Sequence, residues 1–515
     1  MPLESEQLEK LIDWAGEKQF FVSKKLQFTI KENEGTTVIA SKSIASDEKL
    51  IECPRKFIIG PELAKSTFAD IEYGEIDDEQ VYVKFAFMYQ VLLGSQSEWY
   101  PYISVLPKED EIISPFYFNQ EDLLWIQGTN ISSELDLKRQ VWKAQFEQAV
   151  QNITAKYPES PSYTFELYTW TNLIFLSRSF PAHIVDPSAN KMTSILVPII
   201  DSLNHKPLTP IHWDCTGGTG FNLIAGQAIE QGGEVYNNYG AKGNEELFIG
   251  YGFTIEDNLF DIVSLRLPAK IIEFVSNAGL KELPEDGVFH LTRDGVPEQL
   301  KSVFVAIVSL QRGVGHQTTL AQLAGRQELI RALNDKLDNF ANIDKPIENI
   351  RQKFAKYYRD GQIKIYRDSL ALLGQEVKAI IAASTSKVID LDTISSRNPE
   401  LLTILMLPFN TENVNEIVDQ GSEDEILIMY IAAQMINGEL PWPDHEESYQ
   451  DMDLADYENF TETYIPYIRQ LSDDFESPKW TELSTYAMAA LYLERFGYDY
   501  KDNKGRGLLR CVIDI

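Results

Sequence analysis

Apolar and polar residues alternate from Leu26 to Pro61, LQFTIKENEGTTVIASKSIASDEKLIECPRKFIIGP, with β-branched side chains enriched. That texture predicts two or three short strands, with turns at Asn33 to Gly35 and Ser46 to Glu48. The apolar period then lengthens to three and four in VYVKFAFMYQVLL (81–93), LKRQVWKAQFEQAVQNITAKY (137–157) and YTFELYTWTNLIFLSRSF (163–180), which predicts helices. Strand texture returns in TSILVPIID (193–201), GFNLIAGQAI (220–229) and GEVYNNYG (233–240), so a β fold is split by a helical insertion. After the strand-like DIVSLRLP (261–268) the helical period dominates, in PEQLKSVFVAIVSLQRG, TLAQLAGRQELIRALNDKLDNFA and EDEILIMYIAAQMING, and glycine or asparagine often closes the element. The expected class is α+β, with domains at 1–260 (insertion about 76–175) and 261–515. The second, all-α domain holds no compact pairing of nucleophile and base, and reads as a binding or scaffolding module.

One apolar run ends oddly. SILVPIID should be a buried strand, yet it runs into Asp201, Asn204 and His205. Downstream, GEVYNNYGAKGNEELFIGYGF (233–253) should begin as a strand, turn at Gly240 and enter a short helix. Asn244 could cap that helix beside Glu245 and Glu246, and Gly250 and Gly252 should stop it. Tyr236, Tyr239 and Tyr251 surround this one turn. A tyrosine hydroxyl can serve a polar atom inside a dry channel where phenylalanine cannot, although core tyrosines with satisfied hydroxyls would read the same way.

Length and charge narrow the class. A chain of 515 residues, 44% hydrophobic and 24% charged, has the composition of a folded multidomain protein. A formal net charge of −32 disfavours nonspecific binding to nucleic-acid backbones and suits a basic protein partner. Acidic residues are dense between Thr411 and Trp480, which is either a docking face or a solvated one. The start carries acidic residues and no secretory apolar run, and no later run has the length of a membrane span. A cytoplasmic or nuclear location is the expectation, with no membrane partner. Cys53, Cys215 and Cys511 lie too far apart for a C-x-x-C zinc cluster, and the H-x-x-C spacing of His212 and Cys215 lacks a fourth ligand, so no metal is expected.

Taken in order, Asp201-Ser202-Leu203-Asn204-His205, then Tyr239-Gly240 some thirty residues on, then Tyr251-Gly252-Phe253, resemble the two signature blocks of SET-domain methyltransferases. SEWYPYISVLP (97–107), PFYFNQEDLLWIQGTNI (115–131) and SRSF (177–180) extend the likeness to the branch of the Rubisco large-subunit methyltransferase. NNYGAKGNEELFIGYGF resembles the fungal ribosomal-protein lysine methyltransferases in particular. The resemblance covers nearly the whole chain. It implies a pseudoknotted β fold, an exception to the rule against threaded chains, and a helical substrate-binding domain. It further implies that S-adenosylmethionine, leaving as S-adenosylhomocysteine, is held by Glu34, Gly35, Thr36, Arg178, Asn204, His205 and Tyr239. Ser177, Arg178 and Asp201 would receive the substrate amine through their carbonyl oxygens, with Tyr251 engaging its nitrogen and Tyr239 as the catalytic residue. The loop Glu34-Gly35-Thr36-Thr37-Val38 departs from the family's glycine-x-glycine-leucine pattern, which main-chain contacts tolerate. Trp213 stands where relatives place a tyrosine, and is left without a role.

Methyl transfer needs a neutral nucleophile, and neutralising a lysine of pKa near 10.4 at pH 7 costs roughly 4 to 5 kcal/mol. A dry channel and a nearby sulfonium both disfavour the ammonium. Tyr239 would align the amine, since orientation supplies much of the rate. Tyr251 before Gly252-Phe253 favours lysine, because the histidine-directed actin enzymes of the branch differ there. The expected function is therefore a protein-lysine N-methyltransferase acting on a basic protein, a large-subunit ribosomal protein. Its alternatives are a histidine methyltransferase and a non-catalytic adaptor whose altered first loop marks lost cofactor binding.

Overall fold

The computed structural model describes residues 5–31, 35–71, 78–216, 218, 220–383, 388–442, 452–471, 477–501 and 508–513. The chain divides into two compact units, residues 1–263 with 336–365, and residues 264–335 with 366–515.

The first unit opens on α1 (Ser5–Glu17), whose Leu8, Leu11, Trp14 and Ala15 recur at helical spacing on one buried face. Trp14 meets Phe57 edge-on at 5.4 Å. Strands β1 (Phe21–Val22), β2 (Leu26–Lys31), β3 (Gly35–Ala40) and β4 (Lys49–Pro54) follow where alternation predicted them, with a turn at 46–47. The Asn33 and Glu34 part of the first expected turn lies outside the described residues. The longer helices that follow are α2 (Pro61–Thr67), α3 (Asp78–Leu92), α4 (Asn130–Lys156) and α5 (Phe165–Arg178), with short helical turns between them. Thr164 starts α5, its hydroxyl accepting from the Leu167 N–H at 3.1 Å. The end of α5 passes Ser177 and Arg178 directly into β5 (Ser179–Pro181), which pairs with β6 (Ser194–Leu196). With β7 (Ile211–Asp214) and β8 (Gly220–Ala225), the strands form an antiparallel sheet β1-β4-β8-β7 and two hairpins, β2-β3 and β5-β6. Val38, Ile51, Cys53, Phe57, Phe221 and Leu223 are fully buried between these layers.

Three local expectations are corrected. The run SILVPIID is buried, but only its first three residues make a strand. Pro198 has no N–H to give a ladder, Ile199 takes φ 72°, and a 3₁₀ turn follows at Ile200–Ser202. GEVYNNYG is not a strand either; it forms isolated bridges, Glu234 with Ile39 and Asn237 with His205. Its N-terminal part pairs with β3 (Val235 N–H to Val38 O, 2.8 Å) and its C-terminal part with residues 204–206 (Asn237 N–H to Asn204 O, 2.8 Å), so neither ladder extends. Asn244, expected as a helix cap, is instead the first residue of the helix Asn244–Glu246 and fully buried. Its amide donates to Ile255 O and Asp261 Oδ2, each 2.9 Å, and the Asp261 carboxylate receives the Asn244 N–H that a cap would have taken.

Helices dominate the second unit, among them Glu298–Arg312, Thr319–Asp338, Glu423–Ile436 and Leu483–Phe496. Its core gathers Leu405, Ile426, Met429, Ile431, Trp480 and Tyr486. Glu376 accepts from both Lys301 (2.6 Å) and Arg326 (2.8 Å), joining three helices through half-buried charge. The unit also carries a strand pair, Val263–Arg266 with Val288–Leu291, and a small sheet of Val388–Ile389, Leu508–Ile513 and Gly497–Lys501. Parts of the acidic stretch 411–480, namely 443–451 and 472–476, lie outside the described residues. Among the described residues, no helix is long and apolar enough to cross a membrane.

Candidate active site

The end of α5, the β5-β6 hairpin, the 3₁₀ turn after β6 and the Tyr239 to Tyr251 segment converge on a cleft of about 350 Å³. Ser177, Arg178, Asp201, Tyr239 and Tyr251 all line it, together with Phe180, Thr193, Trp213, Lys191 and Lys242.

Charge at its base is locked in a buried pair. Arg178 Nη1 donates to the Asp201 carbonyl (3.1 Å) and carboxylate Oδ2 (3.4 Å), and the Tyr102 hydroxyl donates to the same Oδ2 at 2.7 Å. Burial works against the guanidinium charge, but Asp201, Tyr102 and Tyr239 outweigh it and Arg178 is held charged. Burial pushes the Asp201 carboxyl above its ordinary value, with Arg178 and Tyr102 pulling the other way. Nη1 is the only Arg178 nitrogen bonded among the described residues, leaving donors on the same fork for an anionic group.

Two aromatic rings stack over this base. Tyr239 lies 4.7 Å from Tyr251, with planes 18° apart, and its hydroxyl donates to the Leu203 carbonyl at 2.8 Å. Burial, partly offset by Arg178, pushes the Tyr239 phenol up to about 12, so it is a hydrogen-bond donor and not a base at neutral pH. Burial likewise raises Tyr251. The Tyr251 ring is fixed by Gly252, whose φ of 76° ends the helical turn and brings its backbone against Ile113.

Asn204 and His205 do not line the cleft; they brace its floor. His205 Nδ1 accepts the Tyr239 N–H at 3.0 Å. Burial, outweighing the Asn237 carbonyl, lowers the imidazole to about 4, so at neutral pH it is uncharged with its proton on Nε2. The Asn204 amide donates to Thr37 Oγ1 (3.2 Å) and Glu234 Oε1 (3.0 Å), tying β3 to the Tyr239 segment. Gly35 and Thr36 lie on β3 just before Thr37, and Glu34 is outside the described residues. The Ser177 hydroxyl turns back to its own helix, donating to Leu173 O at 2.8 Å, so only its main chain can serve the cleft.

Some site residues had no role in the sequence reading. Trp213 closes one wall, its indole N–H on Asn237 Oδ1 (3.1 Å) and its ring edge-on to Phe180 at 5.1 Å. Tyr102 lies within SEWYPYISVLP, a stretch that marked the family and said nothing of a partner 99 residues away. His205 Nε2 and Asp201 Oδ1 are buried polar atoms with no hydrogen bond among the described residues. The open Arg178 donors line the cleft and would suit a ligand with an anionic group.

Residues 35–240 match the SET domain family, and that stretch runs from β3 through the Asn204-His205 brace to Tyr239-Gly240. Over that stretch the chain is similar to SET domains. Residues 261–384 further match the EFM1 middle domain. The ribosomal lysine N-methyltransferase set10 of Schizosaccharomyces pombe is 32% identical over 367 residues, covering 64% of this chain and 65% of the relative. The ribosomal lysine N-methyltransferase 1 of Saccharomyces cerevisiae is 24% identical over 510 residues, covering 83% and 86%. The chain thus spans just under two thirds of the first relative and most of the second. Among solved structures, the SET domain of LSMT bound to lysine and AdoHcy superposes with a TM-score of 0.60 at 16% identity, over 74% of this chain and 93% of that one. At that identity the likeness speaks for the fold. The SET domain here is therefore α+β, its strands interrupted by the helices α2 to α5.

Proposed function

We propose that this SET-domain chain is an S-adenosylmethionine-dependent protein-lysine N-methyltransferase whose substrate is a basic ribosomal protein. The observation that carries the reading is the convergence of Tyr239, Tyr251, Arg178 and Asp201 on one small cleft whose floor is braced by Asn204 and His205. When bound, the cofactor supplies a methyl carbon on a positively charged sulfur. The chain does the rest. Stacked Tyr239 and Tyr251 keep the cleft narrow and dry, which disfavours an ammonium and favours the free amine. The carbonyls of Ser177, Arg178 and Asp201 offer acceptors that orient that amine. The Tyr239 hydroxyl, a donor fixed on Leu203, holds the geometry of the reacting centre without taking a proton. The unpaired Arg178 donors suit the cofactor's carboxylate.

Two lines support the ribosomal substrate: the similarity to two fungal ribosomal lysine N-methyltransferases, and a net charge of −32 that would draw a lysine-rich partner. The second unit, which contains most of the EFM1 middle-domain match, would carry the docking surface. Such a target puts the reaction in the cytoplasm or nucleus. The test is incubation with methyl-labelled S-adenosylmethionine and a ribosomal-protein extract, with mass spectrometry of the product. Label on lysine of a ribosomal protein is expected. Label on histidine alone would replace the lysine reading, and calorimetry showing no S-adenosylhomocysteine binding would favour the adaptor.

A further inference from the structure

The cleft that would receive a lysine is lined by two lysines of its own chain, Lys191 and Lys242. They differ in what holds them. Lys242 is paired with Glu246 across one helical turn, and its ammonium lies 5.6 Å from the centre of the Tyr251 ring. Lys191 has no ion pair or hydrogen bond among the described residues, although the chain carries 78 acidic residues against 46 Lys and Arg. It sits in the connection between β5 and β6, exposed, beside Met192 at 72% exposure. The connection is not loose on the other side: Thr193 is buried, its hydroxyl donates to Glu79 at 2.9 Å, and its N–H donates to Asn190 O at 3.0 Å. An unpaired ammonium on a flexible stem is thus rooted two residues from an anchored position, at the lip of the cleft.

We propose that Lys191 is a methyl acceptor for this chain's own active site, a self-modification site. The inference rests on the lysine-methylation reading above. Tethering makes the encounter intramolecular, so Lys191 meets the cleft at an effective concentration that no dilute partner matches. In the step, the Lys191 ammonium gives a proton to water and its nitrogen lone pair then forms a bond to the cofactor's methyl carbon. The carbon–sulfur bond breaks with its electron pair remaining on sulfur, and the positive charge passes from sulfur to nitrogen. S-adenosylhomocysteine and methylated Lys191 are the products.

The experiment uses the full chain with methyl-deuterated S-adenosylmethionine and no added substrate, followed by digestion and mass spectrometry. Deuterated methyl on the peptide containing Lys191 is expected, at a fractional rate unchanged across a dilution series. The K191R variant should lose that label while binding S-adenosylhomocysteine as the parent does by calorimetry. Absence of label at Lys191 in protein that binds S-adenosylhomocysteine and labels a ribosomal extract overturns the proposal. So does a rate that rises with protein concentration, since one copy would then be modifying another. Failure to bind S-adenosylhomocysteine at all would remove the underlying reading, and this inference with it.

Discussion

The imidazole of His205 lies flat against the phenol of Tyr239, ring centroids 4.7 Å apart and planes within 10°, while its Nδ1 takes the Tyr239 N–H. Protonation would turn that acceptor into a donor facing another donor. The folded imidazole sits near 4 and an unfolded one near its ordinary 6.5, so between these values the unfolded chain binds more protons. Stability should therefore fall as pH drops from about 6.5 to 4, and level off below. Thermal melts across that range check it; in His205→Phe the decline should be shallower, and an identical slope would exclude His205 as its source.

Tyr239→Phe removes the hydroxyl bonded to Leu203 O and leaves the ring stack in place. Turnover should fall by about a hundredfold or more, while S-adenosylhomocysteine affinity stays within about twofold. Parallel kinetics and calorimetry decide, and equal turnover would strip Tyr239 of its role.

Tyr102→Phe should cost about 1 to 3 kcal/mol of stability, because Asp201 Oδ2 loses its shortest donor in a site that water does not reach. Adding Asp201→Asn to Tyr102→Phe removes the buried charge and should cost less than the two single losses summed. Denaturant unfolding of all three variants measures the coupling.

Gly252→Ala would place a Cβ 2.8 Å from the Ile113 carbonyl at a φ of 76°. The left-handed backbone alone costs about 1 to 2 kcal/mol for a residue with a side chain. A melting point lowered accordingly, with KM for the protein substrate rising as Tyr251 shifts, is the expected result.

Much of the SET domain is legible in the residues because its strands and helices obey local periodicity. The alternation at 26–61 and the helical spacing at 163–180 each became the expected element. What escaped depends on partners distant in the chain. GEVYNNYG has strand composition, but it is shared between β3 and residues 204–206, and Asn237 and Asn238 spend their side-chain oxygens on nearby backbone N–H groups. Asn244 looked like a cap because asparagine beside two glutamates usually is one; Asp261, 17 residues on, took the N–H instead. The block Asp201 to His205 could be picked out as a site, but not the division of labour within it: Asp201 lines the cleft, whereas His205 braces Tyr239 from below.

The stretch from Gly233 to Tyr239 binds β3 on one side and residues 204–206 on the other, and β3 lies nearly two hundred positions earlier in the chain. The pairing with β3 cannot close until the chain between them has collapsed, so folding is slowed accordingly. A nascent or partly assembled molecule therefore carries its helices before it owns a working centre. Competence arrives with the final closure.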